Sequence, residues 1–346
     1  MRHLRTTAAA VALMLAPLAA PAQEVTLALS HWLPPVHPLQ PQGMELWAQS
    51  ISEASEGRIQ IDIFPAQQLG AAPDHYDMAR DGIADITFIN PGYQPGRFPI
   101  IAAAELPFLV SNATSGSRVM HEWYQQYAEQ EMSDTKVCMV HLHDPGTLHA
   151  TRGPAAAPGD FAGMNIRPPQ GTIAQMISMM GASPVQVPAP EMREILSSGG
   201  ADATTSPWNS LILFGVQDIV THHLDIPLYS VVFAFVMNQG SYDALSDENK
   251  AVIDDHCTPE WSERIATPWA EIEAGSRAEF MEMEGHEFYV PDEAQMAEWT
   301  ALSDQLRTDW IEAAGGAGVE DPEAALQSLQ DMLSEAGAAA EVGAAN

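Results

Sequence analysis

Arg58-Ile59-Gln60-Ile61-Asp62-Ile63-Phe64 decides the fold class. Its isoleucines fall on every second position, the period of a strand with one buried face. Just before it, Gly57 closes a segment from Leu39 to Ser55 that carries Met44, Leu46, Trp47 and Ile51 at helical spacing. Earlier still, Val25-Thr26-Leu27-Ala28-Leu29-Ser30 alternates as a first strand. Strand, helix, strand in that order implies a parallel pair with a right-handed crossover. The chain is therefore expected to be α/β.

The alternation continues C-terminally. A helix is expected over 73–81, a strand over 84–89 that Asn90-Pro91-Gly92 breaks, a helix over 114–131 and a strand over 135–142. A second series starts near Pro145-Gly146, with strands over 148–152, 183–187 and 201–206 and helices over 173–180, 190–198 and 209–220. Tyr229 to Met237 is almost uninterruptedly β-branched and aromatic, as a strand buried on both faces would be. Ser246 caps a helical region expected to run unbroken to about Met283, long enough to pass between two lobes. A last strand is expected over 287–290, a helix from Asp292, and a frayed tail after Gly337.

The first residues set an expectation about compartment. Arg2 and Arg5 precede an apolar run from Ala8 to Ala20, and Ala20-Pro21-Ala22 offers small side chains for cleavage. That is the pattern of a signal peptide over residues 1–22, too short and too proline-rich for a membrane span. The protein is expected to be exported to the periplasm. Roughly 320 residues then remain, more than one core usually organises, so two lobes are expected. An oxidising compartment permits Cys138 and Cys257 to pair, but the sequence leaves paired and free thiols equally open.

The 346 residues carry 46 acidic against 14 basic side chains, a net charge of −32, and Lys136 and Lys250 are the only lysines. Such a balance excludes nucleic acid and anionic membrane surfaces as partners. It also means that an anionic ligand, repelled at long range, must be held by a local cluster of the few arginines.

One arginine stands out. Asp160-Phe161-Ala162-Gly163-Met164-Asn165-Ile166-Arg167-Pro168-Pro169-Gln170-Gly171 reads as a short strand that two prolines terminate, leaving Arg167 at its end. A guanidinium there needs an anion, either a ligand carboxylate gripped through two parallel hydrogen bonds or an internal acidic partner. Taken alone, the stretch leans towards the internal pair.

Several pieces, in order and over essentially the whole exported chain, resemble the DctP family, the extracytoplasmic solute-binding subunits of tripartite ATP-independent periplasmic (TRAP) transporters. They are Gly57-Arg58 with the strand to Phe64-Pro65-Ala66, Leu69-Gly70, Gly82-x-Ala84-Asp85-Ile86 and Pro95-Gly96-Arg97-Phe98-Pro99. Glu105-Leu106-Pro107-Phe108, Phe161-x-Gly163-Met164-x-Ile166-Arg167, Gly181-Ala182-Ser183-Pro184 and Gly199-x-Ala201-Asp202 follow. The resemblance implies a two-lobed periplasmic solute-binding fold with mixed β-sheets, hinge strands and a long interlobe helix. With it, lobe I is expected over 23–146 plus 233–272, and lobe II over 147–232 plus 273–346. It also implies a monomer that closes over a small carboxylate and presents it to a membrane permease driven by an ion gradient. In the family the arginine that ends the Gly-x-x-Ile-Arg strand pairs with the ligand carboxylate, which reverses the reading of Arg167.

Other cleft positions follow from strand ends. Arg152 is expected either as a second donor or as a surface ion pair. His31 and Trp32 follow the first strand; Asn90 ends the third, as an amide donor or a turn residue. Thr205, Ser206, Trp208 and Asn209 follow a further strand end, where Ala203 replaces the family's usual glycine and leaves the ligand class open. Trp32 and Trp208, with Phe88 or Tyr93, would also suit a zwitterion whose cationic group lies over ring faces. An organic acid packed by the same rings is the plainer expectation.

Other classes are weaker. His141 and His143 share one strand face, so a metal-binding or metal-dependent protein is conceivable, with His149, His222 and His223 as further ligands. No HExxH, G-x-S-x-G, G-x-G-x-x-G or P-loop pattern occurs, and no catalysis or cofactor is expected. A ligand-sensing periplasmic protein would share the fold.

Overall fold

The computed structural model describes residues 23–340. The expected signal segment lies outside them. Eleven strands are described: β1 (Val25–Ser30), β2 (Ile59–Phe64), β3 (Ile86–Ile89), β4 (Thr135–Leu142), β5 (Thr147–Ala150), β6 (Asn165–Arg167), β7 (Ser183–Pro184), β8 (Ala203–Ser206), β9 (His222–Leu224), β10 (Val232–Asn238) and β11 (Glu287–Tyr289).

They form two mixed sheets, one per lobe. The first has the order β2-β1-β3-β10-β4, with β1 parallel to both β2 and β3 and with β10 antiparallel to β3 and β4. The parallel pair β1/β2 is the expected crossover, its helix running over Glu45–Ala54. The second sheet has the order β11-β9-β5-β8-β6-β7, antiparallel about β5 and parallel at both edges. β10, buried from Val232 to Met237, lies inside the first sheet between β3 and β4, as its unbroken apolar run requires.

Two strand connections cross between the lobes. His143 to Gly146 runs beside Tyr229 to Val231: the His143 N–H donates to Val231 O at 3.3 Å and the Gly146 N–H to Tyr229 O at 2.7 Å. Glycine is needed at 146, because a Cβ there would lie 2.8 Å from the Ser206 backbone. The third connection is the Pro259–Glu282 helix. Its first turns meet the Ala113–Tyr124 helix of the first lobe through Arg118–Glu260 and Ser262–His121 contacts. Its last turns meet the second lobe, where Arg277 grips Asp225 through two hydrogen bonds.

The structure departs from expectation in several places. The region from Ser246 to Met283 is two helices, Asp247–Asp255 and Pro259–Glu282. The break has a local cause: Thr258 caps the second helix by accepting from Trp261 N, and Pro259 has no N–H to continue the first. Cys257 sits in that break, joined to Cys138 of β4 by a disulfide. The helix expected over 209–220 covers only Trp208–Leu213 and is followed by Gly215 at φ 67°. β9, which carries the His222-His223 pair, is a strand that the periodicity does not predict. The C-terminal segment expected in lobe II instead covers lobe I from about residue 318: the Trp123 indole donates to Ala325 O at 3.0 Å within the Pro322–Glu335 helix. Where a frayed tail was expected after Gly337, residues 338–340 are held, with Ala339 bridged to Val110.

Candidate functional site

β1, β3, β6 and β8 all aim their carboxyl ends at the boundary between the lobes. The cavity there is about 40 Å³. The lobes touch around it: Asn90 Nδ2 donates to Pro169 O at 3.2 Å, and the Ala189 N–H donates to the Tyr93 hydroxyl at 2.9 Å. Gly92 lies so close under Gln170 that any side chain there would collide with it.

Arg167 is 3% exposed and lines this cavity. Its Nε donates to Val187 O at 2.9 Å, which fixes the plane of the guanidinium. Among the described residues no carboxylate lies within ion-pair distance of it, whereas Arg58, Arg97, Lys136 and Arg277, each half-buried or nearly so, all have one. Its charge reaches the hydroxyls of Tyr93 and Tyr229 and partly offsets the upward push that burial gives both. The Tyr229 hydroxyl is buried without a hydrogen-bond partner among the described residues. Arg167, Tyr229, Thr205 and Ser206 together can grip one carboxylate.

The opposite wall is aromatic. Trp32 lies 5.5 Å from Phe88 and from Tyr93, and 6.2 Å from Phe233. Phe233 in turn packs on Trp269 at 6.1 Å. Four of these rings come from the first lobe's sheet and its loops, and Trp269 comes from the bridging helix. Rings so placed can sandwich a flat apolar body.

Of the nine expected site residues, Arg167, Trp32, Asn90, Thr205 and Ser206 line the cavity. Asn90 is both of its readings at once, since its Oδ1 accepts from Gly92 N in the turn while its amide crosses to the other lobe. His31 lies behind the cavity, fully buried, and that burial lowers its pKa to about 4. Arg152 is a surface residue, 57% exposed and paired with Asp202 at 2.6 Å. Trp208 and Asn209 point away. Trp208 packs with Phe280 and Phe288 in a separate apolar cluster, and the Trp208 and Asn209 backbone N–H groups both donate to Glu273. Burial pushes the Glu273 carboxyl up to about 8 against those two bonds.

His37, His143, Tyr229, Phe233 and Trp269 were missed as site residues. They stand on a loop, on both crossing strands and mid-helix, so no local pattern groups them. His141 does not reach the cavity: its ring stacks 5.6 Å from Phe88 and 5.3 Å from Phe233. Burial lowers its pKa to about 3. Among the described residues no group of three His, Cys, Asp or Glu side chains is placed to hold a metal ion.

Three solved structures are close to this one. A TRAP solute-binding protein from Rhodoferax ferrireducens, in complex with copurified benzoate, is 29% identical with a TM-score of 0.84 over 90% of this chain and 98% of its own. A marine metagenome TRAP solute-binding protein specific for aromatic acid ligands, in complex with 3-hydroxybenzoate, is 30% identical with a TM-score of 0.83 over 91% and 99%. A TRAP periplasmic solute-binding protein from Bordetella bronchiseptica with bound (R)- and (S)-mandelate is 31% identical with a TM-score of 0.84 over 90% and 99%. The sequence profile of the DctP family, bacterial extracellular solute-binding protein family 7, matches residues 29–313. With that profile spanning both lobes and the bridging helix, the chain belongs to the DctP family and is a solute-binding subunit of the TRAP type.

Proposed function

We propose that this protein captures a small aromatic monocarboxylate between its lobes and hands it, closed, to the membrane subunits of a TRAP transporter. The carrying observation is Arg167, a buried guanidinium without an acidic partner among the described residues, facing a cavity walled by Trp32, Phe233 and Trp269. Guanidinium cannot shed its proton to escape burial, so the site favours ligands that bring a carboxylate. The flat apolar walls and the small volume favour a single ring as the body, and the three similar structures bind acids of that kind. Contacts to both lobes make the closed form the better binder, and the ligand shifts closure only by that difference.

The reading carries further proposals with it. The protein acts in the periplasm as a monomer and catalyses no reaction; it takes the ligand directly, without a metal bridge. Isothermal titration of protein unfolded and refolded to remove bound solute tests it, with benzoate and mandelate against pyroglutamate, glucuronate and glycine betaine. Micromolar or tighter binding confined to the aromatic acids supports the reading. Preference for betaine, or for an aliphatic acid, overturns it.

A further inference from the structure

Arg167 gives the cavity one polar pole. A second polar group gathers at Trp269, on the wall shared by the first lobe and the bridging helix. His37 and His143 both meet the Trp269 ring edge-on, their centroids 4.7 and 5.5 Å away. All three line the same cavity as Arg167, and all three are buried. Arg167 acts on the two tyrosines of its own pole, whereas burial and neighbouring histidines govern His37, and burial with a carbonyl contact governs His143.

The proton positions follow from fixed backbone partners. The Leu39 N–H donates to His37 Nδ1 at 3.3 Å, so that nitrogen is an acceptor and the neutral ring carries its proton on Nε2. His143 Nδ1 faces the Asp144 carbonyl, which can only accept, so the proton sits on Nδ1 and Nε2 keeps its lone pair. Both rings are neutral at physiological pH, because burial lowers their pKa values to about 3 and about 4.

One wall therefore presents two donors and one acceptor. His37 Nε2–H and Trp269 Nε1–H are buried with no partner among the described residues. Donors left that way are costly, and the cost is removed only by something that enters the cavity. A ring hydrogen or a methyl group meets none of the three. A carbonyl meets the donors but leaves the His143 lone pair opposite its own. A hydroxyl both donates and accepts, and it is the smallest group that does.

We infer that the ligand carries a hydroxyl on the edge remote from its carboxylate, donating to His143 Nε2 and accepting from His37 Nε2–H or Trp269 Nε1–H. The ligand class is then the hydroxylated aromatic acids. This rests on the aromatic-acid reading above.

Titrating refolded protein with benzoate, 3-hydroxybenzoate, 4-hydroxybenzoate and the two methyl ethers tests it. At least one hydroxybenzoate is expected to bind about tenfold more tightly than benzoate, and its methyl ether, which cannot donate, to lose that gain. Benzoate binding as tightly as both hydroxybenzoates overturns the inference while the aromatic-acid reading stands. Failure of every aromatic acid overturns both. Two variants locate the effect: Trp269→Phe deletes one donor and keeps a ring, and His143→Phe deletes the acceptor. Each should draw the hydroxybenzoate-to-benzoate affinity ratio towards one. An unchanged ratio in both folded variants would also overturn the assignment, and the wild-type ligand series decides the hydroxyl preference whether or not the variants fold.

Discussion

Arg167 and Glu105 are buried to the same degree at the boundary between the lobes, 3% and 2% exposed, and neither has a partner of opposite charge among the described residues. They resolve the same problem in opposite ways. Glu105 reaches across to the other lobe, where Thr172 Oγ1 donates to its Oε2 at 3.1 Å, and burial pushes its carboxyl up to about 8. At neutral pH it stays protonated and uncharged. Arginine has no such exit, since its proton cannot be shed at any pH a protein survives. A carboxyl in this boundary is a structural clasp; a guanidinium is an unfilled demand for an anion.

Removing Arg167 should have the largest effect. Arg167→Ala is expected to lose at least about 100-fold in carboxylate affinity by calorimetry, because the buried charge pair it would form with the ligand is worth several kcal/mol. The melting temperature of the empty protein should hold or rise, since a buried charge without a partner has been deleted. Collapse of the empty fold would mean that Arg167 supports the β6 end structurally.

Glu105→Gln sharpens the other half. A carboxyl whose folded pKa of about 8 exceeds its ordinary 4.5 favours the fold while protonated. Its contribution is full below pH 4.5 and is lost as the pH rises to about 8, the unfolded chain having released the proton first. Wild-type stability should fall across that window relative to Glu105→Gln by on the order of 3 kcal/mol or less, read from denaturant midpoints at pH 5 and pH 8.5. Parallel curves would show that the carboxyl is ionised in the fold. Glu273, also raised to about 8, titrates in the same window in both proteins and cancels from the difference.

How much of this was legible beforehand depends on the range of the interaction. β1, β2 and the crossover helix were readable because period and punctuation are local. So was the arrival of Arg167, Asn90 and Ser206 at strand ends, which parallel strands gather on one edge. Trp269 was not readable. It lies mid-helix beside the internal Pro268, and only the path of that helix across the lobes brings it to the cavity. The fate of Trp208 turned on the Pro207 corner and on Glu273, 65 positions away, which accepts from the Trp208 N–H and turns its ring towards Phe280. The break at Thr258 was legible in principle, since a threonine before a proline is a helix start, but the charged and apolar spacing on both sides masked it.

Arg152 supplies the smallest effect and the cleanest control. It has the same side chain as Arg167 and also follows a strand of the second sheet, yet it stands in solvent with Asp202 beside it. Asp202 does not depend on it alone: the Asn165 N–H donates to its Oδ2 at 2.9 Å, and that bond, ahead of Arg152, is the chief reason its carboxyl sits below the usual range. Arg152→Ala should therefore leave Asp202 charged and β6 in place. Exposed pairs of this kind contribute about 0.5 kcal/mol or less, so the melting temperature should hardly move and ligand affinity should change less than about twofold. If Arg152→Ala instead weakened binding as strongly as Arg167→Ala does, burial without an acidic partner would no longer be the feature that marks the ligand's arginine.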